Sequence, residues 1–397
     1  MPVYHVEVET LSPTLIGRGR VFRRVITETE TYIPGQAIAG SIGMLIFKNS
    51  CSKDRCMPGC PDKDKCRYYS VFRDFEPSPT LFPGPLTPVC EKCGSQTIPM
   101  PVYISKCKKC SKLSSFYEEY LTPYDADFKC KAKLEEETCG FPHTEPASGY
   151  ICPECGGRTM VTVRRITCTK IDGETMTAEE GNLFSKDYVA RGSRFKGYMA
   201  VTGEDPFTVL RELGVAEWKD GSYVLEARIG GGKSRGFGRI LVKASPIDIW
   251  KYIEKEAEKT SLIKNEAVGT VLTPLFSLEM EDGTWFSRVK PTGEWIARGA
   301  EEAYELLTGR KESFKGKLDV KAIYGWETHV SGWSLRTRMR RPVITALKPG
   351  SAVHISLEDG SRENIEMLSC LSLVGLSRPK KYAGHGFGLL TFRRVET

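Results

Sequence analysis

Apolar and polar residues alternate along three segments in the first half of the chain. The segments span residues 3–11, 24–32 and 223–229, and each alternates with a period of two. That period predicts half-buried β-strands. Residues 35–49, which begin with glycine, instead predict a short helix. The first half therefore combines strands with helix.

The second half of the chain shows the same mixture. The predicted elements are strands at residues 269–280, 351–359 and 389–394, and helices at residues 247–262 and 301–309. Together with the first half, they predict an α+β fold in which an antiparallel sheet carries helices on one face, formed twice over. The boundary between the two units falls near residues 246–264.

An unusual glycine-rich, cationic turn occurs in both halves. The stretch RIGGGKSRGFGRILV covers residues 228–242, and KYAGHGFGLLTF covers residues 381–392. Each passes through Gly-Phe-Gly into an apolar strand, and such a repeat predicts two related domains side by side. We expect a first domain at residues 1–50 and 156–245, an insert at residues 51–155, and a second domain at residues 265–397.

Composition adds a mild basic excess to this picture. The chain has 397 residues, with 57 Lys and Arg against 50 Asp and Glu, for a net charge of +7. Local clusters of cations, as in residues 336–341, indicate a polyanionic partner more strongly than the net charge of the whole chain does. No window approaches the about 18 apolar residues of a membrane span, and the N-terminus predicts a strand rather than a signal peptide. We expect a cytoplasmic protein without membrane contact.

Fourteen cysteines in such a chain predict bound metal rather than disulfides, because cytosolic thiols are kept reduced and thiolates bind zinc or iron. Twelve of them lie within residues 51–155. The candidate metal ligands are Cys51, Cys56, Cys60, Cys66, Cys90, Cys93, Cys107, Cys110, Cys130, Cys139, Cys152 and Cys155. The other two, Cys168 and Cys370, lie in apolar, strand-like runs and are expected in the core.

Three of the cysteine pairs are C-x-x-C knuckles, at residues 90–93, 107–110 and 152–155. A knuckle presents two thiolates to one tetrahedral ion, so two pairs close a structural site. We favour one site from Cys90, Cys93, Cys107 and Cys110, a second from Cys130, Cys139, Cys152 and Cys155, and a third from Cys51, Cys56, Cys60 and Cys66. This grouping predicts two or three structural zinc ions.

Several alternatives to that grouping remain open. Spacing does not exclude crossed pairing, such as Cys90 and Cys93 with Cys152 and Cys155, and His143 could replace one ligand. An iron–sulfur cluster could take the place of zinc. Loose reduced cysteines are the alternative for the tight group between residues 51 and 66.

The turn at residues 228–240 has the composition of a phosphate cradle. Glycine leaves backbone N–H groups open to phosphate oxygens and permits positive φ angles, while cations supply charge and an aromatic ring offers a stacking face. The candidate RNA contacts here are Gly231, Gly232, Lys233, Ser234, Arg235, Phe237 and Arg239. A P-loop would need a glycine at position 227, which is alanine. A purely structural glycine turn stays open.

Further candidates lie outside that turn. Gln36 and Ser41 are placed at the start of the helix predicted over residues 35–49, where a phosphate would meet the helix dipole; an ordinary helix cap is the alternative. The other candidate RNA contacts are Arg194, Lys196, Trp333, Arg336, Arg338, Tyr382 and His385.

Several motifs, taken in order, resemble the RAMP superfamily of CRISPR effector proteins. They are Tyr32-Ile-Pro-Gly35, Gly40-Ser41, Thr169 to Asp172, Gly181 to Phe184, Arg194 to Gly197, Ser331 to Trp333, Lys348 to Ser351 and the two glycine-rich turns. The resemblance covers nearly the whole chain except the cysteine-rich insert. It implies two ferredoxin-like (RRM-type) domains with antiparallel sheets, whose glycine-rich loops lie against RNA.

Within the superfamily, the chain most resembles the subunit of subtype III-D complexes that holds the five-prime handle of the CRISPR RNA. The resemblance implies a ribonucleoprotein of antiviral defence in which the partners are CRISPR RNA, the large signalling subunit, backbone RAMP subunits and target RNA. It also implies an RNA-binding structural subunit rather than an enzyme.

Three other functions stay open. A CRISPR RNA-processing endoribonuclease would use His385 as a general base. A backbone subunit that cleaves target RNA would use Asp172. A zinc-ribbon protein would contact nucleic acid through the insert, at Lys106, Lys108, Lys109 and Lys112.

Overall fold

A computed structural model describes residues 1–17, 26–51, 60–72, 79–122, 127–134, 137–260, 262–334 and 339–395. The helices within these ranges are α1 Gly35–Ser50, α2 Arg67–Phe72, α3 Tyr117–Leu121, α4 Pro206–Glu212, α5 Ile249–Lys259, α6 Gly293–Thr308, α7 Arg362–Ser369 and α8 Lys380–Ala383.

The strands of the first half and of the predicted insert are β1 Val3–Thr10, β2 Ile26–Thr27, β3 Leu81–Pro83, β4 Thr87–Pro88, β5 Ile98–Pro99, β6 Ile104–Cys107, β7 Leu113–Ser115, β8 Lys133–Leu134, β9 Glu137–Thr138, β10 Thr144–Pro146, β11 Tyr150–Ile151, β12 Arg158–Thr159, β13 Val163–Ile171, β14 Ala178–Val189, β15 Arg194–Val201, β16 Glu217–Lys219, β17 Ser222–Arg228 and β18 Arg239–Ile247. Those of the second half are β19 Glu266–Val271, β20 Ser277–Glu281, β21 Thr284–Arg288, β22 Leu318–Tyr324, β23 Glu327–Ser334, β24 Met339–Leu347, β25 Ala352–Leu357 and β26 Leu390–Thr391.

The larger of the two main sheets belongs to the first half of the chain. Its order is β16-β17-β18-β1-β15-β3, with β4 also paired to β15, and all its pairs are antiparallel. Val6 and Val8 of β1 pack with Ile38, Ile42 and Ile46 of α1, which recur every four residues along one helix face. The predicted strand 3–11, the strand 223–229 and the helix 35–49 are thereby confirmed.

The second sheet has the order β22-β25-β19-β26 and is also antiparallel. Helices α6 and α7 pack against it through residues such as Ile296 and Leu368. The same core cluster contains Val3, Phe82 and Ala200 from the first sheet. The first sheet therefore contributes to the main apolar cluster of the second half as well as to its own cluster with α1.

Most of the strands from the predicted insert form small sheets of their own, β10-β6-β7 and β12-β11-β5. Residues 81–88, also within the predicted insert, instead pair with β15. Tyr103, Tyr117 and Ile151 pack with Val268 and Val395 of the second half. The cysteine-rich region is thus built into the body of the protein.

Within the described ranges, four further pairs of strands lie outside these sheets: β13-β14, which also carries the short parallel strand β2, together with β20-β21, β23-β24 and β8-β9. The structure is a mixed α/β fold dominated by antiparallel sheets, and the α+β class predicted from the pattern is confirmed at that level. In the described part of the chain, no helix is both long enough and apolar enough to cross a bilayer.

Other predicted elements are shorter, longer or broken. The predicted strand 269–280 is interrupted by residues 272–276, which separate β19 from β20. Helix α6 begins eight residues before the predicted helix at 301–309. Within the predicted strand 24–32, only Ile26–Thr27 forms a strand, and residues 24 and 25 lie outside the described ranges.

Candidate metal centres and the glycine-rich turns

The first cysteine centre is formed by Cys90, Cys93, Cys152 and Cys155, whose four sulfur atoms all lie within 4.8 Å of one another. Pairing of β5 with β11 sets the two knuckles side by side. The closest sulfur pairs are Cys90–Cys155 at 3.6 Å and Cys93–Cys152 at 3.4 Å. In a tetrahedral site with metal–sulfur bonds of about 2.3 Å, neighbouring sulfurs lie about 3.8 Å apart. These four thiolates could therefore hold one ion.

Both knuckles of this centre have the same backbone. The amide of Gly94 donates to the carbonyl of Cys90, and the amide of Gly156 donates to the carbonyl of Cys152, each at 2.9 Å. Both glycines have positive φ angles, of 73° and 65°, which glycine adopts without steric cost. The turn geometry thus aims two sulfurs per knuckle at a common point.

The second centre is formed by Cys107, Cys110, Cys130 and Cys139, again with all sulfurs within 4.8 Å. The pairs Cys107–Cys139 and Cys110–Cys130 lie 3.9 and 3.7 Å apart. Its knuckle repeats the turn of the first centre, but the left-handed position is Ser111, with φ of 60°. A non-glycine residue in that conformation is strained.

The favoured cysteine pairing was therefore wrong, and the crossed alternative for Cys90 and Cys93 is the observed arrangement. Spacing along the chain could not show that β11 returns beside β5, which is what brings Cys152 and Cys155 to the first knuckle. His143 belongs to neither centre and packs edge-on against Phe141.

The remaining cysteines have mixed outcomes. Cys51, Cys60 and Cys66 are in neither of the two centres formed by the described residues, and Cys56 lies outside the described ranges. A third site remains a prediction. Cys370 is buried as expected, although in a short turn after α7 rather than a strand. Cys168 lies on β13 but is only half-buried, so its expected place in the core was wrong.

The protein environment favours ionisation of selected thiols. Hydrogen bonds from the hydroxyl and amide of Ser95 lower the pKa of Cys93 to about 6. Burial opposes ionisation of Cys107, but the amides of Cys110 and Lys109 lower its pKa to about 7. Burial raises the pKa of Cys152 to about 12. A cation would complete the ionisation of the remaining thiols, since metal ligation requires thiolate.

An ion network ties the first centre to the junction between the halves. Glu154, inside the knuckle, accepts from Lys259 at 2.6 Å and from Arg393 at 2.8 Å. Arg393 also contacts the buried Glu256, 3.1 Å away on the connecting helix α5. Partnered charges of this kind are costly to break when they are buried. The metal centre, helix α5 and the C-terminal segment therefore form one connected unit.

The first glycine-rich turn joins β17 to β18. Gly230, Gly232, Gly236 and Gly238 all have positive φ, between 71° and 83°. A Cβ at Gly230 would overlap the carbonyl oxygen of Leu15, so the turn is held tightly against the segment after β1. The middle of the turn, at Gly232 and residues 234–236, faces solvent. Part of the glycine content is therefore structural, while Gly232 and Gly236 expose backbone that no side chain of their own covers.

Cations converge on this turn. Lys233 begins a short 3-10 turn, and the guanidinium of Arg228 donates to its carbonyl oxygen at 3.1 Å. Burial, followed by the charges of Lys48 and Arg228, lowers the pKa of Lys233. Arg235 is exposed. The positive charge is thus concentrated in a partly desolvated place, where an anion would gain most.

Two of these cations, Lys48 and Arg228, were not among the candidate residues. Arg228 belongs to the glycine-rich stretch itself, but it is the last residue of β17, and its sequence position alone does not distinguish it from an ordinary strand residue. Lys48 lies near the C-terminal end of α1, far away in sequence, and no sequence signal connects it with the turn. Only the packing of α1 beside β17 brings the two together.

Three of the remaining residues of the turn, Arg239, Phe237 and Gly231, have partners within the protein. Arg239 is exposed and pairs with Glu226 at 3.0 Å. Phe237 is half-buried, with its ring edge-on to Tyr188 at 6.0 Å. Gly231 donates its amide to Leu15, and Ser234 is exposed. Stacking of a base on Phe237 would therefore engage a ring that is already partly packed within the protein.

The placement of Ser41 at a helix N-terminus was wrong. Helix α1 begins at Gly35, so Ser41 lies in its second turn, buried, and its hydroxyl donates to the carbonyl of Arg228 at 2.9 Å. It supports the base of the glycine-rich turn from behind. Gln36 does lie in the first turn of α1 and is half-buried.

Other candidates are spread over several elements. Arg194 and Lys196 lie on β15, where Lys196 pairs with Glu7 at 3.0 Å and Arg194 is exposed. The backbone of Trp333 belongs to β23, opposite Arg340. Arg336 and Arg338 lie outside the described residues. Strand β1 separates Arg194 and Lys196 from Arg239 at the end of the first turn.

The second glycine-rich turn packs against the first half of the chain. A Cβ at Gly386, which has φ of 82°, would overlap the carbonyl oxygen of Pro83 and lie 3.4 Å from the Cα of Gly35. Phe387 is buried in a cluster with Phe276 and Ile344. Both turns approach protein backbone, but they differ in exposure: Phe387 is buried, whereas Phe237 is half-buried and the middle of the first turn faces solvent.

Tyr382 and His385 belong to the same packed region. Tyr382 is half-buried, with its ring 5.1 Å from that of Phe276 and 6.2 Å from that of His385. Asp172, by contrast, is half-buried in the turn of the β13–β14 hairpin. Its Oδ1 accepts from the amides of Glu174 and Thr175 at 3.0 and 2.8 Å, and these bonds lower its pKa.

No protein-family model matches the sequence, and no curated protein matches it. The chain is similar to several solved structures. One is a type III-B Cmr-beta complex bound to cognate target RNA and AMPPnP, at 14% identity over 88% of this chain and 86% of that chain, with a TM-score of 0.42. Another is a Cas6 product complex, at 11% identity over 98% of this chain and 99% of that chain, with a TM-score of 0.39. A third is oligomeric Cmr4 from Pyrococcus furiosus, at 14% identity over 62% of this chain and 99% of that chain, with a TM-score of 0.25. Likenesses this low assign neither a family nor a function to the chain.

Proposed function

We propose that this chain is a RAMP-type, RNA-binding subunit of a type III CRISPR effector complex, which holds the five-prime handle of the CRISPR RNA and docks neighbouring subunits. The ordered motifs from Tyr32 to Gly388 support this proposal. In it, residues 1–50 with 156–245 and residues 265–397 are the two ferredoxin-like domains, and residues 51–155 are a zinc-binding insert.

The convergence of cations on the first glycine-rich turn is the observation that carries the proposal. Lys48, Arg228 and Lys233 repel one another in the free protein, and burial adds to the cost of charging Lys233. A bound phosphate would relieve that repulsion, and the exposed glycine backbone lets phosphate oxygens approach closely. An RNA backbone supplies phosphates in series, so the turn suits RNA better than a single small anion.

Binding rather than cleavage fits the surroundings of the two candidate catalytic residues. The three hydrogen bonds that Asp172 accepts hold the hairpin turn in shape, with the hydroxyl of Thr175 as the third donor at 3.0 Å. His385 lies in the second glycine-rich turn, in which Gly386 packs against Pro83. In the proposed function, both residues have structural roles.

Zinc fits the two cysteine centres because all four ligands in each are thiolates and no position is left open. Closed four-sulfur sites of this kind are structural. The centres would hold the insert in the shape that packs against β19 and β25. Metal analysis of the purified protein tests this part of the proposal; iron with visible absorbance would contradict it.

A titration with fluorescent RNA of the repeat-derived handle sequence tests the RNA site. Lys48→Gln, Lys233→Gln and Arg235→Gln are combined in one variant. A matched variant combines Lys106→Gln, Lys109→Gln and Lys112→Gln in the insert, with the same loss of three charges. Circular dichroism checks that both variants fold.

We expect the turn variant to bind the handle at least about tenfold more weakly and the insert variant to bind as the wild type does. Because the turn variant lacks three cations that would pair with phosphates, the slope of log affinity against log salt should fall by about 2, at roughly 0.7 per phosphate neutralised on a single strand. A larger loss of affinity in the insert variant would assign RNA binding to the insert and overturn the proposal.

A further inference from the structure

The hairpin formed by β20 and β21 carries an apolar patch that the described part of the chain leaves exposed. Met280 and Trp285 lie directly opposite each other on the two strands, and each is 60% exposed. Cross-strand neighbours share one face of a hairpin, so their side chains form one contiguous patch. We propose that this patch docks into an apolar pocket, rimmed by cations, on a neighbouring protein.

The patch is an outward continuation of the core. Leu278 lies on the same face, two residues before Met280, and packs against the cluster that contains Phe276, Ile344 and Phe387. An apolar strip therefore runs from the interior to the hairpin tip. A strip that served only the core would end at Leu278, whereas a large amphipathic ring at its exposed end is typical of an interface anchor.

The hairpin is well ordered for binding. Its turn has positive φ at Asp282 and Gly283, of 48° and 75°, as in the type I′ turns that match the twist of paired strands. Near the base, Arg288 pairs with Glu279 through two hydrogen bonds of 2.7 and 2.9 Å. A fixed backbone lowers the entropic cost of placing Trp285 in a pocket.

Charge decides between a protein and RNA as the occupant. The hairpin carries three acidic residues, Glu279, Glu281 and Asp282, against one base, Arg288, which already pairs with Glu279. The chain as a whole has a net charge of +7. Glu279 and Glu281 alternate with Met280 and so lie on the opposite face of the thin hairpin, and Asp282 lies in its turn, a few ångströms along the chain from the patch. This net negative charge around the patch would repel phosphates and attract lysines or arginines at the rim of a partner's pocket.

The test uses the full chain, co-expressed with the proteins encoded beside its gene, and measures the affinity of each purified neighbour for the wild type and the variants by interferometry. The patch variant combines Met280→Ser and Trp285→Ser. The control is Trp218→Ser, which removes another exposed tryptophan, 47% accessible, from the β16–β17 hairpin. A third variant combines Glu281→Lys and Asp282→Lys.

We expect one neighbour to bind the patch variant at least about tenfold more weakly, as for an aromatic anchor, and the control to bind normally. The charge-reversed variant should also bind that neighbour more weakly. Equal binding of the patch variant by every neighbour, or no neighbour bound by the wild type, would overturn the inference. Tighter RNA binding by the charge-reversed variant would assign the hairpin to RNA instead.

This inference rests on the proposed function only for the choice of neighbours to test, and the two fail separately. Loss of handle binding in the turn variant, with Lys48, Lys233 and Arg235 neutralised, reports on the RNA site. The patch variant should keep the handle affinity of the wild type, because the hairpin lies on the second half and its acidic residues do not favour phosphate.

Discussion

Paired cysteine substitutions distinguish the observed metal centres from the pairing that spacing favours. Cys93 and Cys152 belong to the same centre, and Cys107 belongs to the other. Cys93→Ser combined with Cys152→Ser should therefore cost one ion per chain. Cys93→Ser combined with Cys107→Ser should cost two. The pairing favoured by spacing predicts the reverse for both variants.

The expected losses are complete because each centre has only four ligands. Sulfur–sulfur distances of 3.4 to 3.9 Å lie close to the about 3.8 Å of a tetrahedral four-sulfur site. Structural zinc in such sites binds with about 10–16 kcal/mol, so the intact centre survives mild chelation and a three-ligand centre should not. An ion held by Cys51 to Cys66 would add one ion per chain to the count of every variant and so would not change the differences between them.

Native mass spectrometry after brief dialysis against a chelator counts the ions, and elemental analysis identifies them. Cys168→Ser is the control, since Cys168 is half-buried on β13 and belongs to neither centre; its count should equal that of the wild type. One ion lost from the Cys93→Ser, Cys107→Ser variant, and two from the Cys93→Ser, Cys152→Ser variant, would refute the observed pairing.

Three further predictions concern stability. Ser111→Gly should raise the free energy of unfolding by up to about 1 kcal/mol, because glycine relieves the left-handed strain at φ of 60°; a lower midpoint in chemical unfolding would contradict this. Gly386→Ala should destabilise the chain by at least about 3 kcal/mol, because the new Cβ would overlap a backbone carbonyl. The control is Gly214→Ala: Gly214 has a similar φ but no atom within 4 Å of an added Cβ, so this substitution should cost only about 1 kcal/mol. Burial opposes ionisation of Glu302, but Arg378 holds the pKa of this carboxyl below the usual range. The ion pair therefore stabilises the folded state fully above the ordinary glutamate pKa, and this stabilisation is lost as pH falls through the lowered pKa. Glu302→Gln should flatten that acidic limb in thermal unfolding, and an unchanged limb would argue against the ion pair.

The elements that the sequence predicted best are those with one buried face and one face turned toward solvent. Strand β1 alternates Val6 and Val8 with Glu7 and Glu9, and one face is buried against α1 while the other is not. A period of two then follows directly from the packing. The same contrast made the helix over residues 35–49 predictable.

The long β13–β14 hairpin gave no such signal. Most of its described side chains are exposed on both faces, including apolar ones such as Ile171 and Leu183. With no buried face, the sequence carries no alternation to detect. Strand pairing alone defines this hairpin, and pairing is not encoded in a single strand's pattern.

The candidate site divides in the same way. Residue type identified the cysteines and the cationic turn, because thiolates and glycines are chemically distinctive. It could not show that Lys48 approaches Lys233, or that Gly386 packs against Pro83 rather than facing a ligand. Those relations depend on how distant segments pack, which spacing along the chain does not record.

The nucleic acid that co-purifies with the chain tests the central proposal most directly. The full chain would be expressed with the proteins encoded beside its gene, and the bound RNA would be extracted and sequenced. The proposal predicts short RNAs that share one repeat-derived five-prime end, and their loss when Lys48, Lys233 and Arg235 are neutralised. Absent or random RNA, or repeat RNA cut at one position by the purified chain, would contradict a handle-binding subunit.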